Sequence, residues 1–153
     1  MFKKILVPTD GSSLSEKASS AAIKFAAEVA AAIVTISVAD PYISFPPIVE
    51  GIPLDPNFYD EDTRRLFDEQ PQQMAKKNVG WVHDEAIKAG VSCEVLTAIS
   101  AKPYEEIVKA VDTFKCDLIF MASHGRKGIN RLILGSETQK VIAYSAIPVL
   151  VFR

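Results

Sequence analysis

Along this chain, short apolar runs rich in β-branched residues alternate with longer stretches whose apolar residues recur at helical spacing. No other feature constrains the fold as strongly. Strands that follow one another through helices pair in parallel, and right-handed crossovers leave few ways to arrange them. The runs are Lys3 to Pro8, Ala32 to Ala39, Val91 to Thr97, Asp117 to Ala122 and Ile147 to Phe152. Leu118-Ile-Phe-Met-Ala122 contains no polar residue, as expected of a strand covered on both faces. Between the runs, Ala18, Ala22, Phe25, Ala26 and Val29 mark a first helix, and Ser13 with Glu16 reads as its capping box. A second helix starts at the charged Asp60-Glu-Asp62, should be disturbed at Pro71 and runs out at Ala89-Gly90. Met74, Val79, Val82, Ala86 and Ile87 are its expected buried stripe, with Trp81 and His83 as packing or surface residues. Lys102-Pro103-Tyr104 opens a third helix carrying Ile107, Val108 and Val111, and Ser136 to Tyr144 forms a fourth with Val141 and Ile142. The expected fold is α/β: a doubly wound, five-stranded, mostly parallel sheet with helices on both faces.

With 153 residues and 48% hydrophobic content, the chain has the size of one domain with a real core, spanning 1–153. A formal net charge of −2 argues against general nucleic-acid binding, which draws on a strongly basic face. No apolar run approaches a membrane-spanning length, and Met1-Phe-Lys-Lys leads straight into the first strand, so a cytoplasmic protein is expected. Cys93 and Cys116 lack a partner at metal or redox spacing and read as buried thiols. His83 and His124 lie outside any metal-binding pattern, so no metal site is expected.

In a doubly wound sheet, ligands lie outside the carboxyl ends of the strands where the winding reverses. The loop after the first strand, Thr9-Asp10-Gly11, and the loop after the fourth, Ser123 to Leu134, would face one such crevice. Gly125 and Gly135-Ser136 sit between a buried strand and a new helix, where backbone N–H groups can approach an anion and the helix start adds unpaired donors. That pattern reads as a phosphate cradle, with ordinary turn chemistry as its bland alternative. Arg126, Lys127 and Arg131 would neutralise a phosphate's charge there or form a solvated basic loop. Ser12 and Ser13 are better explained as caps than as nucleophiles. The segment from Pro41 to Asn57 carries Pro41, Pro46, Pro47, Pro53 and Pro56 among apolar residues. It reads as a long loop folded onto its own domain, a lid, or a partner contact.

Three segments, Ile5-Leu-Val-Pro-Thr-Asp-Gly-Ser12, Met121-Ala-Ser-His-Gly125 with Gly135-Ser136, and Ile147-Pro-Val-Leu-Val151, make the chain resemble the universal stress protein family over nearly all its length. The resemblance implies a Rossmann-like, adenine nucleotide alpha hydrolase-like sheet of strand order 3-2-1-4-5. It also implies the ATP-binding subgroup, whose Gly-x2-Gly-x9-Gly-Ser/Thr pattern wraps phosphates and ribose. Here that pattern falls on Ala122, Gly125, Gly135 and Ser136, with alanine at the first glycine. An added methyl is tolerable unless that position needs positive φ or the ligand lies against Cα. Asp10 matches the family's acidic residue near ribose and phosphates, and Val38 the position whose backbone meets adenine. The implied cofactor-binding set is Pro8, Thr9, Asp10, Val38, Ala122, His124, Gly125, Arg126, Gly135, Ser136 and Glu137, with no catalytic or metal-ligating residue. Ser100 departs from the glycine of many relatives.

These expectations describe a stress-response protein that binds ATP, with Mg²⁺ as an accompanying ion, and signals through its bound state. The final strand, Pro148 to Phe152, is an apolar edge that invites pairing, and the resemblance implies a homodimer joined there. No Walker lysine or water-positioning base is evident, so fast phosphoryl transfer is not expected. The alternatives are a slow ATPase or autokinase, and a member that binds AMP or cyclic AMP or acts through protein contacts alone.

Overall fold

The computed structural model describes residues 1–41, 61–125 and 134–153, with the side chains of 61–69 set aside. The elements are β1 (Lys4–Pro8), α1 (Ser13–Val29), β2 (Ala32–Ala39), α2 (Glu61–Lys88), β3 (Cys93–Ile99), α3 (Pro103–Phe114), β4 (Leu118–Ala122), α4 (Ser136–Tyr144) and β5 (Val149–Phe152). The five strands form one sheet in the order β3-β2-β1-β4-β5, and every neighbouring pair is parallel.

Alternation along the strands builds two apolar layers. Ile5, Val7, Ile33 and Phe120 pack with Ala22, Ile23 and Ala26 of α1 and with Val82 and Ala86 of α2. On the opposite side, Leu6, Val34, Ile36, Ile119 and Met121 meet Ile107, Ala110 and Val111 of α3 and Val141 of α4. Central β1 is covered from both sides, which explains its unbroken Ile-Leu-Val. Since β1 lies between β2 and β4, the winding reverses beside it, and the carboxyl ends of β1 and β4 open a crevice.

Several local expectations are corrected. The N-cap of α1 is Ser12, one residue before the expected Ser13: its Oγ accepts from Ser15 N–H at 3.3 Å, so the Ser13–Glu16 box does not form the cap. Helix α2 continues through Pro71, because a proline removes one hydrogen bond while the packing of the following turns holds the helix. Its buried stripe is Ala75, Val79, Val82 and Ala86, whereas Met74 is 50% and Ile87 53% exposed. Each of these lies one residue, about 100° of helical turn, outside the stripe. Val95 is also 50% exposed, since β3 is an edge strand, and Ile142 is turned outward on α4. Inside α1, Ser19 is fully buried and its hydroxyl has no hydrogen-bond partner among the described residues. None of the described helices is long and apolar enough to cross a membrane.

Candidate functional site

The β1–β2 ladder runs from Lys4↔Ala32 to Pro8↔Ile36 and closes with Thr9 N–H donating to Ile36 C=O at 2.8 Å. In a parallel sheet the N–H and C=O of one residue point to the same neighbour, and successive residues alternate sides. Ile33 N–H donates to Ser92 C=O, and Ser100 N–H to Ala39 C=O, so the odd residues of β2 serve the β3 side. Val38 therefore turns its N–H and C=O toward β1 at a level where β1 has ended. The result is a donor and an acceptor, side by side, on the wall of the crevice.

The turn after β1 is held by its own hydroxyls. Ser15 Oγ–H donates to Thr9 Oγ1 at 2.8 Å and accepts from Asp10 N–H at 3.3 Å. Gly11 takes φ +73°, and Asp10 Oδ1 accepts from Ser12 N–H at 2.9 Å, which fixes the carboxylate. The other carboxylate oxygen, Oδ2, lies where a Cβ on Gly125 would collide with it. Asp10 and the glycine segment after β4 thus meet, as their placement at the switch point predicts.

Gly135 N–H donates to Ser123 C=O at 2.8 Å, laying the start of α4 across the end of β4. A Cβ on Gly135 would stand 3.1 Å from His124 Cα, so any other residue at this crossing would have to push the two backbones apart by a few tenths of an ångström. The first intrahelical bond of α4 is Gln139 N–H to Gly135 C=O, leaving the N–H groups of Ser136, Glu137 and Thr138 without an intrahelical partner. Ser12 Oγ serves the start of α1, and Glu137 Oε2 accepts from Tyr104 N–H at 3.0 Å at the start of α3. No side chain of Gly135 exists to do the same for α4. Glu137 Oε1 accepts from Lys140 Nζ at 2.9 Å, and this bond holds the ammonium above its ordinary pKa. The Glu137 carboxylate is thus occupied in joining α3 to α4.

Ala122 is a strand residue without positive φ, in register with Phe152, and its C=O accepts from Thr138 Oγ1 at 3.1 Å. Its methyl costs the backbone nothing, so the first of the two conditions on alanine here, a need for positive φ, does not arise. His124 Nδ1 lies 3.1 Å from Ser123 Oγ.

These groups surround one cavity of about 480 Å³. Of the residues expected from sequence, Pro8, Thr9, Asp10, Val38, Ala122, His124, Gly125, Gly135, Ser136 and Glu137 all line it. Arg126 lies outside the described residues, as do Lys127, Gly128, Arg131 and the proline-rich segment beyond Pro41. Sequence reasoning missed the wall supplied by α2, where Gln70, Met74, Ala75 and Asn78 face the cavity, and also Ser15, Ser37, Pro103, Ile107 and Thr138. Met74 and Asn78, four apart on the flank of the buried stripe, are the signal that could have found the α2 wall. Among the described residues no group of three or more His, Cys, Asp or Glu side chains gathers to hold a metal ion.

Sheet order, switch-point crevice and a helix start without a side-chain cap together define a doubly wound α/β protein with one cavity at its switch point. More narrowly, the chain belongs to the universal stress protein family, whose sequence model matches residues 1–153. Universal stress protein MJ0531 of Methanocaldococcus jannaschii is 34% identical to it over 155 residues, covering 100% of this chain and 83% of the relative. The solved structure of MJ0577, from the same organism, superposes with a TM-score of 0.80 at 28% identity, covering 99% of this chain and 95% of that one. A universal stress protein from Archaeoglobus fulgidus, solved in complex with dAMP, shares the fold with a TM-score of 0.64 at 20% identity, covering 99% and 98% of the two chains.

Proposed function

We propose that the crevice binds an adenine nucleotide, ATP foremost, and that the protein acts as a nucleotide-dependent regulatory module in the stress response. One observation carries this reading: the backbone edge of Val38, unpaired among the described residues, and the start of α4, which has no side-chain cap, line the same cavity. Adenine presents N1 as an acceptor beside the N6 amino donor, the complement of an adjacent N–H and C=O, whereas guanine presents the reverse. At the other end, the N–H groups of Ser136, Glu137 and Thr138 and the helix dipole suit phosphate oxygens. A cavity of about 480 Å³ falls within the usual range for small-molecule sites. Mg²⁺ accompanying a triphosphate would be held by phosphate oxygens and water, with Asp10 as a partial or indirect ligand.

The protein is a binding module in this account, working in the cytoplasm as a homodimer joined along Pro148 to Phe152. Among the described residues β5 pairs only with β4, which leaves backbone groups on its outer edge unpaired there, and Leu150 is exposed on it. The dAMP complex of the Archaeoglobus relative favours a second reading, in which a monophosphate such as AMP is the ligand. Calorimetric titration with ATP, AMP and cyclic AMP decides between them. ATP should bind below the millimolar range and tightest of the three. Incubation with labelled ATP and Mg²⁺ should give no multiple turnovers, whereas turnovers abolished by Asp10→Ala would replace the binding module with a slow ATPase or autokinase.

A further inference from the structure

Building on the adenine-nucleotide reading above, we infer that Asn78 reads the N6/N7 edge of the purine, adding a side-chain reader to the backbone edge of Val38. Ser37, next to Val38, is 2% exposed and turns its side chain toward α2, where Asn78 Nδ2 donates to Ser37 Oγ at 3.3 Å. Both residues line the cavity beside Val38. The bond to Ser37 uses one of the two Nδ2 hydrogens and fixes the amide against the strand. It leaves the second Nδ2–H and the carbonyl Oδ1 as a donor and an acceptor.

A planar amide of this kind is the complement of adenine's N7 acceptor and N6 amino donor, and Asn is a habitual bidentate partner of that edge. Adenine's N6 carries two hydrogens, so the C=O of Val38 and Oδ1 of Asn78 each accept one without competing. Asn78 is half-buried on the flank of α2 that faces the cavity, where one Nδ2 hydrogen satisfies the buried Ser37 hydroxyl. Its role is to set specificity, favouring a 6-amino purine with an intact N7.

The test compares ATP with 7-deaza-ATP, which lacks only the N7 acceptor and keeps the edge read by Val38. By calorimetry the unmodified protein should bind 7-deaza-ATP about fivefold to tenfold more weakly than ATP, the worth of one hydrogen bond in a desolvated site. Asn78→Ala should bind ATP more weakly and lose the discrimination, with the ratio of the two affinities falling to about one on the same reasoning. Asn78→Asp, which keeps an acceptor but not the donor, should lose it too. Circular dichroism establishes that both variants are folded. Equal affinities in the unmodified protein, or a ratio that persists in both variants, overturns the role of Asn78 and leaves the adenine-nucleotide reading standing. Failure of the unmodified protein to bind either nucleotide overturns that reading and this inference together.

Discussion

Replacing Gly125 by alanine puts a Cβ against Oδ2 of Asp10, closer than carbon and oxygen can approach, so the carboxylate has to move. Asp10 is not free to swing, because Oδ1 accepts from Ser12 N–H at 2.9 Å in the turn that leads into α1. Giving up a hydrogen bond to a charged acceptor costs about 1.5–3 kcal/mol, and partial exposure of Asp10 brings the expected loss to about 1–2 kcal/mol. In an Asp10→Ala background the obstacle is gone. Gly125 does not have positive φ, so there the same substitution should be neutral, or should stabilise by about 0.4–1 kcal/mol through the unfolded chain. Urea unfolding of the parent, both single variants and the double variant gives the coupling energy, expected at about 1–2 kcal/mol. Gly135→Ala serves as a control, since its Cβ meets His124 backbone and Asp10→Ala should not rescue it. Equal destabilisation by Gly125→Ala in both backgrounds would refute the claim that Asp10 dictates glycine at this position.

Ser19→Ala should raise stability by about 1–2 kcal/mol in the same assay, because it removes a buried hydroxyl without a described partner and installs a better helix former. Glu137→Ala should cost about 1–2 kcal/mol by orphaning Tyr104 N–H at the start of α3, whereas Glu137→Gln, which keeps an acceptor there, should recover most of it. Cys116 is buried as expected, but Cys93 is only half-buried because β3 is an edge strand; loss of hydration pushes both thiols from their ordinary 9.0 up to about 11. The unfolded chain therefore releases these protons first: their contribution to stability is full below pH 9 and is lost as pH rises toward about 11. Urea midpoints measured across that window should fall with pH, and less steeply in Cys93→Ala and Cys116→Ala.

The sheet was legible because β1 and β4 are covered on both faces and so carry unbroken apolar runs, while the helices between them carry periodic ones. The crevice was legible because glycines at Gly125 and Gly135 answer to backbone and carboxylate atoms that a Cβ would strike. Less could be read where the cause was tertiary. Whether Ser12 or Ser13 caps α1 depends on where the turn ends, and Asp10 decides that by holding Ser12 N–H. Met74 resembles a core residue in a helical pattern, yet it lies on the flank of α2 that faces the cavity. Nothing in the sequence singles out Asn78; only the packing of α2 against β2 brings it to Ser37. The carboxylate bond of Glu137 could not be read either, since its partner Tyr104 N–H belongs to a helix far away in sequence.

Amide NMR of the ¹⁵N-labelled protein during titration with ATP tests the central claim most directly, because it reports both ends of the cavity at once. The amide of Val38 and those of Ser136, Glu137 and Thr138 should shift together along one saturating curve, with β3 and the outer face of α3 unmoved. Saturable binding that leaves Val38 and the start of α4 unshifted, or no shift anywhere at millimolar ATP, would contradict it.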